Sequence, residues 1–276
     1  MTSEGESWSP PGRAAQRWAE GLAGWAIPPH ILEAVPESPW SYSPAVFVGV
    51  TRAALAVETP STGRARQALR NGASVLDVGV GAGAASLPLA PPAASITGVD
   101  SSPVMLDALA DLASARGVAH TAVLGTWPDV ASAVKAADVC VCHHVFYNVA
   151  DLGPFASALT SHARRRVVVE LTASHPQSIL NPLWWHFHRL RRPSGPTADD
   201  AMAALAEAGI PVQSERWTSS SFHIHSRPDA SSVCRRLCLP PEREAEVSQM
   251  IDDADFTASR EMVTLWWPGS AGPTAR

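Results

Sequence analysis

The chain has 276 residues, 46% of them hydrophobic, which is enough for a sizeable core in one or two domains. A formal net charge of −5 and a pI near 6.0 give no uniformly positive field, which argues against nucleic acid as a partner or substrate. Four cysteines, Cys140 with Cys142 and Cys234 with Cys238, lack the two-residue gap of a zinc knuckle or redox pair and read as small buried apolar residues.

Residues 1–12 read as disordered. The polar stretch Met1 to Pro11 has neither the charged start nor the apolar run of a signal peptide, and no run reaches the roughly 18 apolar residues that span a bilayer. A cytoplasmic location without membrane contact is expected. Arg13 to Trp25 carries apolar residues at helical spacing and stops near Pro28 and Pro29. Pro36 and Pro39 cut the next segment into short pieces, and Phe47 to Val57 is again helical, so residues 13–70 are expected to form a helical cap.

From residue 73 short β-rich runs alternate with helical stretches, the pattern of parallel βαβ units. Strands are expected at Ser74 to Val78, Ser95 to Val99, His120 to Leu124, Asp138 to Cys142, Arg166 to Leu171, Pro211 to Arg216 and Met262 to Trp266. Thr218 to Arg260 reads as a helical insertion before the last strand, within a main domain of residues 71–276.

The segment VLDVGVGAGAASL places Asp77, Gly79, Gly81 and Gly83 at alternate positions directly after an apolar strand. Glycines there permit dihedrals and ligand approaches that a β-carbon would forbid. A helix starting near Gly83 is expected to turn its unpaired amides towards the ligand. The second strand ends in ITGVD, so Asp100 stands where a ribose-binding carboxylate is expected in a nucleotide-binding sheet.

On VLDVGVGAG, ITGVDSSPVML and ADVCVCHHVFYNV, the stretch from about 70 to 217 resembles class I S-adenosylmethionine-dependent methyltransferases, as a divergent actinobacterial-type member. The resemblance implies a Rossmann-like α/β fold: a seven-stranded, mostly parallel sheet with helices on both faces, here with an N-terminal cap and a helical insertion. It implies S-adenosylmethionine as cofactor, with Gly79, Gly81 and Gly83 along its methionine part and Asp77 near its ammonium. Asp100 would hold the ribose, and Ser101 and Met105 would flank the adenosine. Beside the adenine the family usually has an acid, and here the place reads Gly125, Thr126, Trp127; Asp129 or backbone amides would take over, with Trp127 packing alongside.

Ligands of an open α/β sheet lie beyond the carboxyl ends of its strands. The fourth strand ends in Cys142, His143 and His144, then Phe146, Tyr147 and Asn148; the fifth ends in Glu170 and Thr172, then His175. Methyl transfer is an in-line displacement that needs an aligned nucleophile and, for a hydroxyl, a base. His143 or His144 can be that base, and on an extended chain only one of the two would face the substrate. Tyr147 reads as an orienting donor, and Glu170 as a partner for a histidine or an acceptor amine.

The main reading is therefore O- or N-methylation of a small molecule, with no metal. Gly79, Gly81 and Ala84 also satisfy the dinucleotide fingerprint, so an NAD(P) oxidoreductase is the rival, opposed by Asp77 before the turn. A cofactor-binding regulatory protein without turnover is a further alternative. A metal site from His143 or His144, Glu170 and His175 lacks any tight ligand spacing, and His223 with His225 in FHIH adds little. LWWHFHRLRR, from Leu183 to Arg192, reads mainly as an amphipathic helix covering the sheet edge, with a pocket-mouth role as the alternative.

Overall fold

The computed structural model describes residues 12–33, 38–39, 44–219, 229–253 and 260–272. In chain order it begins with α1 (Arg13–Ala23), α2 (Pro29–Leu32), α3 (Pro44–Ala54) and α4 (Pro60–Ala68). The alternating part follows: β1 (Ala73–Val78), β2 (Ala93–Asp100), α5 (Pro103–Ala115), β3 (Ala119–Leu124), β4 (Ala137–His143), α6 (Leu152–His162) and β5 (Ala163–Thr172). The chain continues through α7 (Asn181–His188), α8 (Ala198–Glu207), β6 (Gln213–Ser219), α9 (Ala230–Arg236), α10 (Glu244–Asp253) and β7 (Arg260–Pro268). All seven expected strands are present; six are a residue or more longer at one end or both, while β6 starts two residues later than expected and ends three later.

The sheet order is β3-β2-β1-β4-β5-β7-β6, parallel except that β7 runs antiparallel to both β5 and β6. Central strands such as VLDV and VVVEL are buried on both faces, which is why they read as near-continuous apolar runs. One face buries Val75, Ile96, Val139, Val141 and Val168 under α4 and α5. The other buries Leu76, Val78, Cys140, Val167 and Val169 under α1, α6 and α8. Each fully buried side chain of this size contributes roughly 1.5–3 kcal/mol.

Local signals start the flanking helices. Thr59 caps α4 by accepting from the Thr62 amide, with Pro60 at the first helical position, and Thr197 with Asp200 forms a capping box on α8. Within the stretch expected as a cap, α4 is a sheet-covering helix, while α3 lies over the carboxyl end of the sheet and meets α5.

A third apolar cluster joins Ile27 and Ile31 to α7, α9 and α10 through Leu183, Trp184, Leu237, Val247 and Ile251. Of LWWHFHRLRR only Leu183 to His188 is helical, Arg189 ending α7 in a left-handed turn; Trp184 is buried, and exposed Trp185 has the guanidinium groups of Arg189 and Arg191 at 5.7 and 5.1 Å from its ring. His186 pairs with Glu246 and His188 with the Leu237 carbonyl. Among the described residues no helix is long and apolar enough to cross a membrane. His223 and His225 lie outside the described residues.

Candidate active site

β1 hands over to the glycine turn at Val78. Gly79 takes φ 71°, and a β-carbon there would lie 2.3 Å from Val145 Cγ2, so both the dihedral and the space require glycine. The Gly79 and Val80 amides donate to the Val99 carbonyl at 2.8 and 3.0 Å, tying the turn to β2. Asp100 ties it a second time: its Oδ2 accepts from the Gly81 amide and its Oδ1 from the Ser102 amide, each at 2.9 Å. A carboxylate offers about four acceptor positions, so two stay open for a ligand.

Two expected cofactor residues sit elsewhere. Asp77 is 1% exposed and does not line the cavity; the Ser86 hydroxyl donates to its Oδ2 at 2.6 Å. It braces the turn from beneath, because alternation along β1 directs it into the layer under Gly79 to Ser86. Burial lifts its pKa from the ordinary 3.8 to about 7, with the charge of Asp100 adding to the rise and Ser86 opposing it. Gly83 also lies off the cavity, and a β-carbon there would come within 2.8 Å of Leu109 and 2.9 Å of Leu87; it serves packing.

The helix expected from Gly83 is absent. Turns lead to a single 3-10 turn at Leu87–Leu89, since Pro88, Pro91 and Pro92 remove the amides that a longer helix would need. The glycine turn therefore does not lead directly into an α-helix, the arrangement that a dinucleotide pyrophosphate relies on.

A cavity of about 1690 Å³ opens beyond the strand ends. Single small-molecule sites occupy about 300–1000 Å³, so it has room for two ligands side by side. One end is lined by Gly79, Gly81, Asp100, Ser101, Met105, Gly125, Thr126 and Trp127. Trp127 is held in place by its indole N–H, which donates to the Phe155 carbonyl at 3.3 Å. Phe47 of α3 reaches over the turn, 3.2 Å from where a Gly81 β-carbon would stand.

The other end holds His143, His144, Tyr147, Glu170, Thr172 and His175. Both histidines line the cavity, against the expectation of one: His144 has φ 60°, so the chain leaves the extended path at His143 and alternation ends. His144 Nε2 lies 3.1 Å from Glu170 Oε1. Burial opposes charge on Glu170, but His143, His144 and the Ser61 hydroxyl outweigh it and hold its pKa down to about 2. His143 Nε2 is shielded from solvent and has no hydrogen-bond partner among the described residues; burial lowers its pKa to about 4 against the pull of Glu170, so the ring is neutral at pH 7.

Tyr147 is on the wall, but its hydroxyl donates to the Thr172 carbonyl at 2.8 Å and burial pushes its pKa up, so the phenol is a brace. Its ring stacks on Trp18 and meets His175 edge-on. His175, singled out only as a conceivable metal ligand, is stacked on Trp25 with ring centroids 3.8 Å apart, and its Nδ1 accepts from the Gln177 amide. Burial and Arg192 lower its pKa to about 4, keeping it neutral. Trp25 and Ser61 escaped the sequence reading, since each reaches the site from a distant helical segment. All four cysteines are buried and unpaired by disulfides. Residues 183–192 line no part of the cavity.

Residues 75–166 match the family model described as a methyltransferase domain. No curated protein matches the chain in sequence. Among solved structures, the YcgJ protein of Bacillus subtilis is similar at 17% identity and TM-score 0.51, covering 77% of this chain and 99% of its own. A candidate methyltransferase of Bacillus halodurans gives 14% and 0.50, covering 75% and 97%. A candidate sarcosine dimethylglycine methyltransferase of Galdieria sulphuraria gives 15% and 0.52, covering 87% and 96%. At such identities the likeness speaks for the fold. The strand, turn and acid built above thus lie within the stretch, residues 75–166, that is similar to a methyltransferase domain.

Proposed function

We propose that the chain transfers a methyl group from S-adenosylmethionine to an oxygen or nitrogen of a small-molecule acceptor, with His144 as general base. One observation carries this reading: a single cavity runs from the glycine turn and Asp100 to His143, His144 and Glu170. Its volume suits a donor and an acceptor together, and its walls are mostly apolar and aromatic, as a water-excluding site for a small molecule requires.

The residues at the first end fit the family's cofactor. Asp100 has two open acceptor positions, the number a ribose diol needs, and it is already oriented by the Gly81 and Ser102 amides. Met105 and Trp127 offer flat apolar surface for a base, Ser101, Gly125 and Thr126 offer polar edges, and Gly79 and Gly81 leave backbone open to the methionine part. Asp77 braces the turn from beneath through Ser86. When bound, S-adenosylmethionine supplies an electrophilic methyl carbon on a sulfonium sulfur.

At the second end Glu170 accepts from His144 Nε2, and Nδ1 is the nitrogen that would take the acceptor's proton. The buried carboxylate compensates the charge that the ring gains on taking a proton, and holds its plane. Such general-base help is worth about 10²–10⁴ in rate. His143, neutral and unpartnered at Nε2, supplies a hydrogen bond to the acceptor. Tyr147, His175 and Trp25 form the aromatic wall beside it.

The test is release of S-adenosylhomocysteine from S-adenosylmethionine over a panel of phenols, carboxylates and amines. Turnover with at least one acceptor that falls steeply in His144→Ala is expected. Binding without turnover on any acceptor would favour a regulatory protein, and turnover unchanged in His144→Ala would remove the base from the account.

A further inference from the structure

Glu170 on β5 is only 7% exposed and lines the cavity. Its Oε1 faces His144 Nε2 at 3.1 Å, while Oε2 is shielded from bulk solvent and makes no hydrogen bond among the described residues. His143, its register partner on β4 and also on the cavity wall, has a second such atom in Nε2. Buried polar atoms are nearly always paired, so two unpaired ones on paired residues of one cavity wall mark a place for a ligand.

The surrounding side chains do not supply the missing partner. Thr264, the register partner of Glu170 on β7, accepts from Trp217 Nε1 at 3.0 Å and shares a 2.6 Å hydrogen bond with Ser61. Ser61 stands near enough to help keep the carboxyl ionised, but not within hydrogen-bond distance of Oε2. The groups acting most strongly on the carboxyl are His143, His144 and Ser61, with no arginine among them. Arg64, one turn beyond Ser61 on α4, is committed to Glu215 at 2.8 Å. Arg260 is on the cavity wall, but it precedes Thr264 by four residues on β7, roughly 13 Å along a strand.

Charge narrows the ligand. Glu170 is ionised at neutral pH, whereas burial keeps His143 and His175 neutral and the Tyr147 phenol protonated. His144 has to be neutral to act as a base, which leaves the buried carboxylate without a cation to compensate it. A carboxylate on the acceptor would be repelled. A neutral hydroxyl would satisfy the hydrogen bond and leave the charge uncompensated. An ammonium does both, through a charge-assisted hydrogen bond, and its three N–H donors are enough for Glu170, for His143 Nε2 as an acceptor and for the base.

Resting on the methyl-transfer reading, we propose that the acceptor is an amine, held as its ammonium ion against Glu170 and beside His143, so that the methylated atom is nitrogen. The aromatic wall of Trp25, Tyr147 and His175 then flanks its carbon skeleton. One ammonium proton passes to His144, and the freed lone pair forms the new N–C bond as the methyl–sulfur bond breaks and leaves its electron pair on sulfur. The product is a methylated ammonium, and the imidazolium returns its proton to solvent. During the proton transfer the positive charge only moves between two neighbours of one carboxylate, so no new uncompensated charge is buried.

The experiment is calorimetry of the full chain at pH 7, where alkylamines are cationic. The probes are benzylamine, phenethylamine and tryptamine, each against the alcohol that carries a hydroxyl in place of the amine, with and without S-adenosylhomocysteine. At least one amine is expected to bind about tenfold or more tightly than its alcohol, and Glu170→Gln to bring that ratio close to one. Alcohols that bind as tightly as their amines, no binding of any amine, or a preference kept in Glu170→Gln would overturn the proposal. If Glu170→Gln does not fold, the wild-type comparison of amine with alcohol decides. Titration with S-adenosylhomocysteine alone reads the methyltransferase assignment separately, so either idea can fail alone.

Discussion

His144 and Glu170 are joined twice: the His144 amide donates to the Glu170 carbonyl at 2.7 Å, and His144 Nε2 lies 3.1 Å from Glu170 Oε1. The backbone bond continues the β4 and β5 ladder one residue past His143, and the left-handed turn at His144 brings its ring back over the end of the neighbouring strand. The proposed base and its carboxylate partner are thereby fixed by the sheet itself.

Replacing Glu170 by Gln keeps the volume and removes the charge. Methyl transfer is expected to fall by about 10²–10⁴, with little change in affinity for S-adenosylhomocysteine. Stability against pH gives an independent check. The folded pKa of about 2 is below the ordinary 4.5, so the stabilisation is present above 4.5 and is lost as pH falls through 2. Thermal melts between pH 5 and 3 should therefore show a steeper acid loss for the wild type than for Glu170→Gln.

Asp77 has the opposite sign. Its folded pKa of about 7 exceeds the ordinary 3.8, so the folded state binds the extra proton between these values and stability falls as pH rises through them. Asp77→Asn should raise the melting temperature of the ligand-free protein at pH 8, by about 2–4 °C for each kcal/mol of relieved charge burial, and leave it nearly unchanged at pH 4. Equal effects at both pH values would contradict this assignment of the carboxyl.

Gly79→Ala forces a β-carbon to 2.3 Å from Val145 and places alanine at φ 71°. Strain of about 1–3 kcal/mol is expected, with weaker binding of S-adenosylhomocysteine. Val145→Ala in the same chain should recover the steric part and leave the dihedral part, which melting of the single and double variants separates.

Much of the fold was legible because parallel strands buried on both faces leave unmistakable apolar runs, and because Asp77, three glycines and Asp100 mark one strand-turn-strand unit. The helix after the turn was misread, since Pro88 and the Pro91-Pro92 pair weigh more than the small residues before them. Asp77 and Gly83 do not line the cavity as expected, because side-chain direction within one turn decides whether a residue meets a cavity or the core. His143 and His144 were found, but a left-handed residue breaks the alternation on which the choice between them rested. Ser61, Trp25 and Thr264 carried no local signal, as packing of distant segments alone brings them to the strand ends.

Calorimetric titration with S-adenosylhomocysteine tests most directly whether the cavity beside Asp100 takes S-adenosylmethionine as its cofactor. Removing the carboxylate that binds two backbone amides forfeits charge-assisted hydrogen bonds worth about 1.5–3 kcal/mol each. Micromolar binding to the wild type, weakened by about tenfold or more in Asp100→Ala, is the predicted result. Failure of the wild type to bind either S-adenosylhomocysteine or S-adenosylmethionine, or binding of NADH in their place, would contradict it.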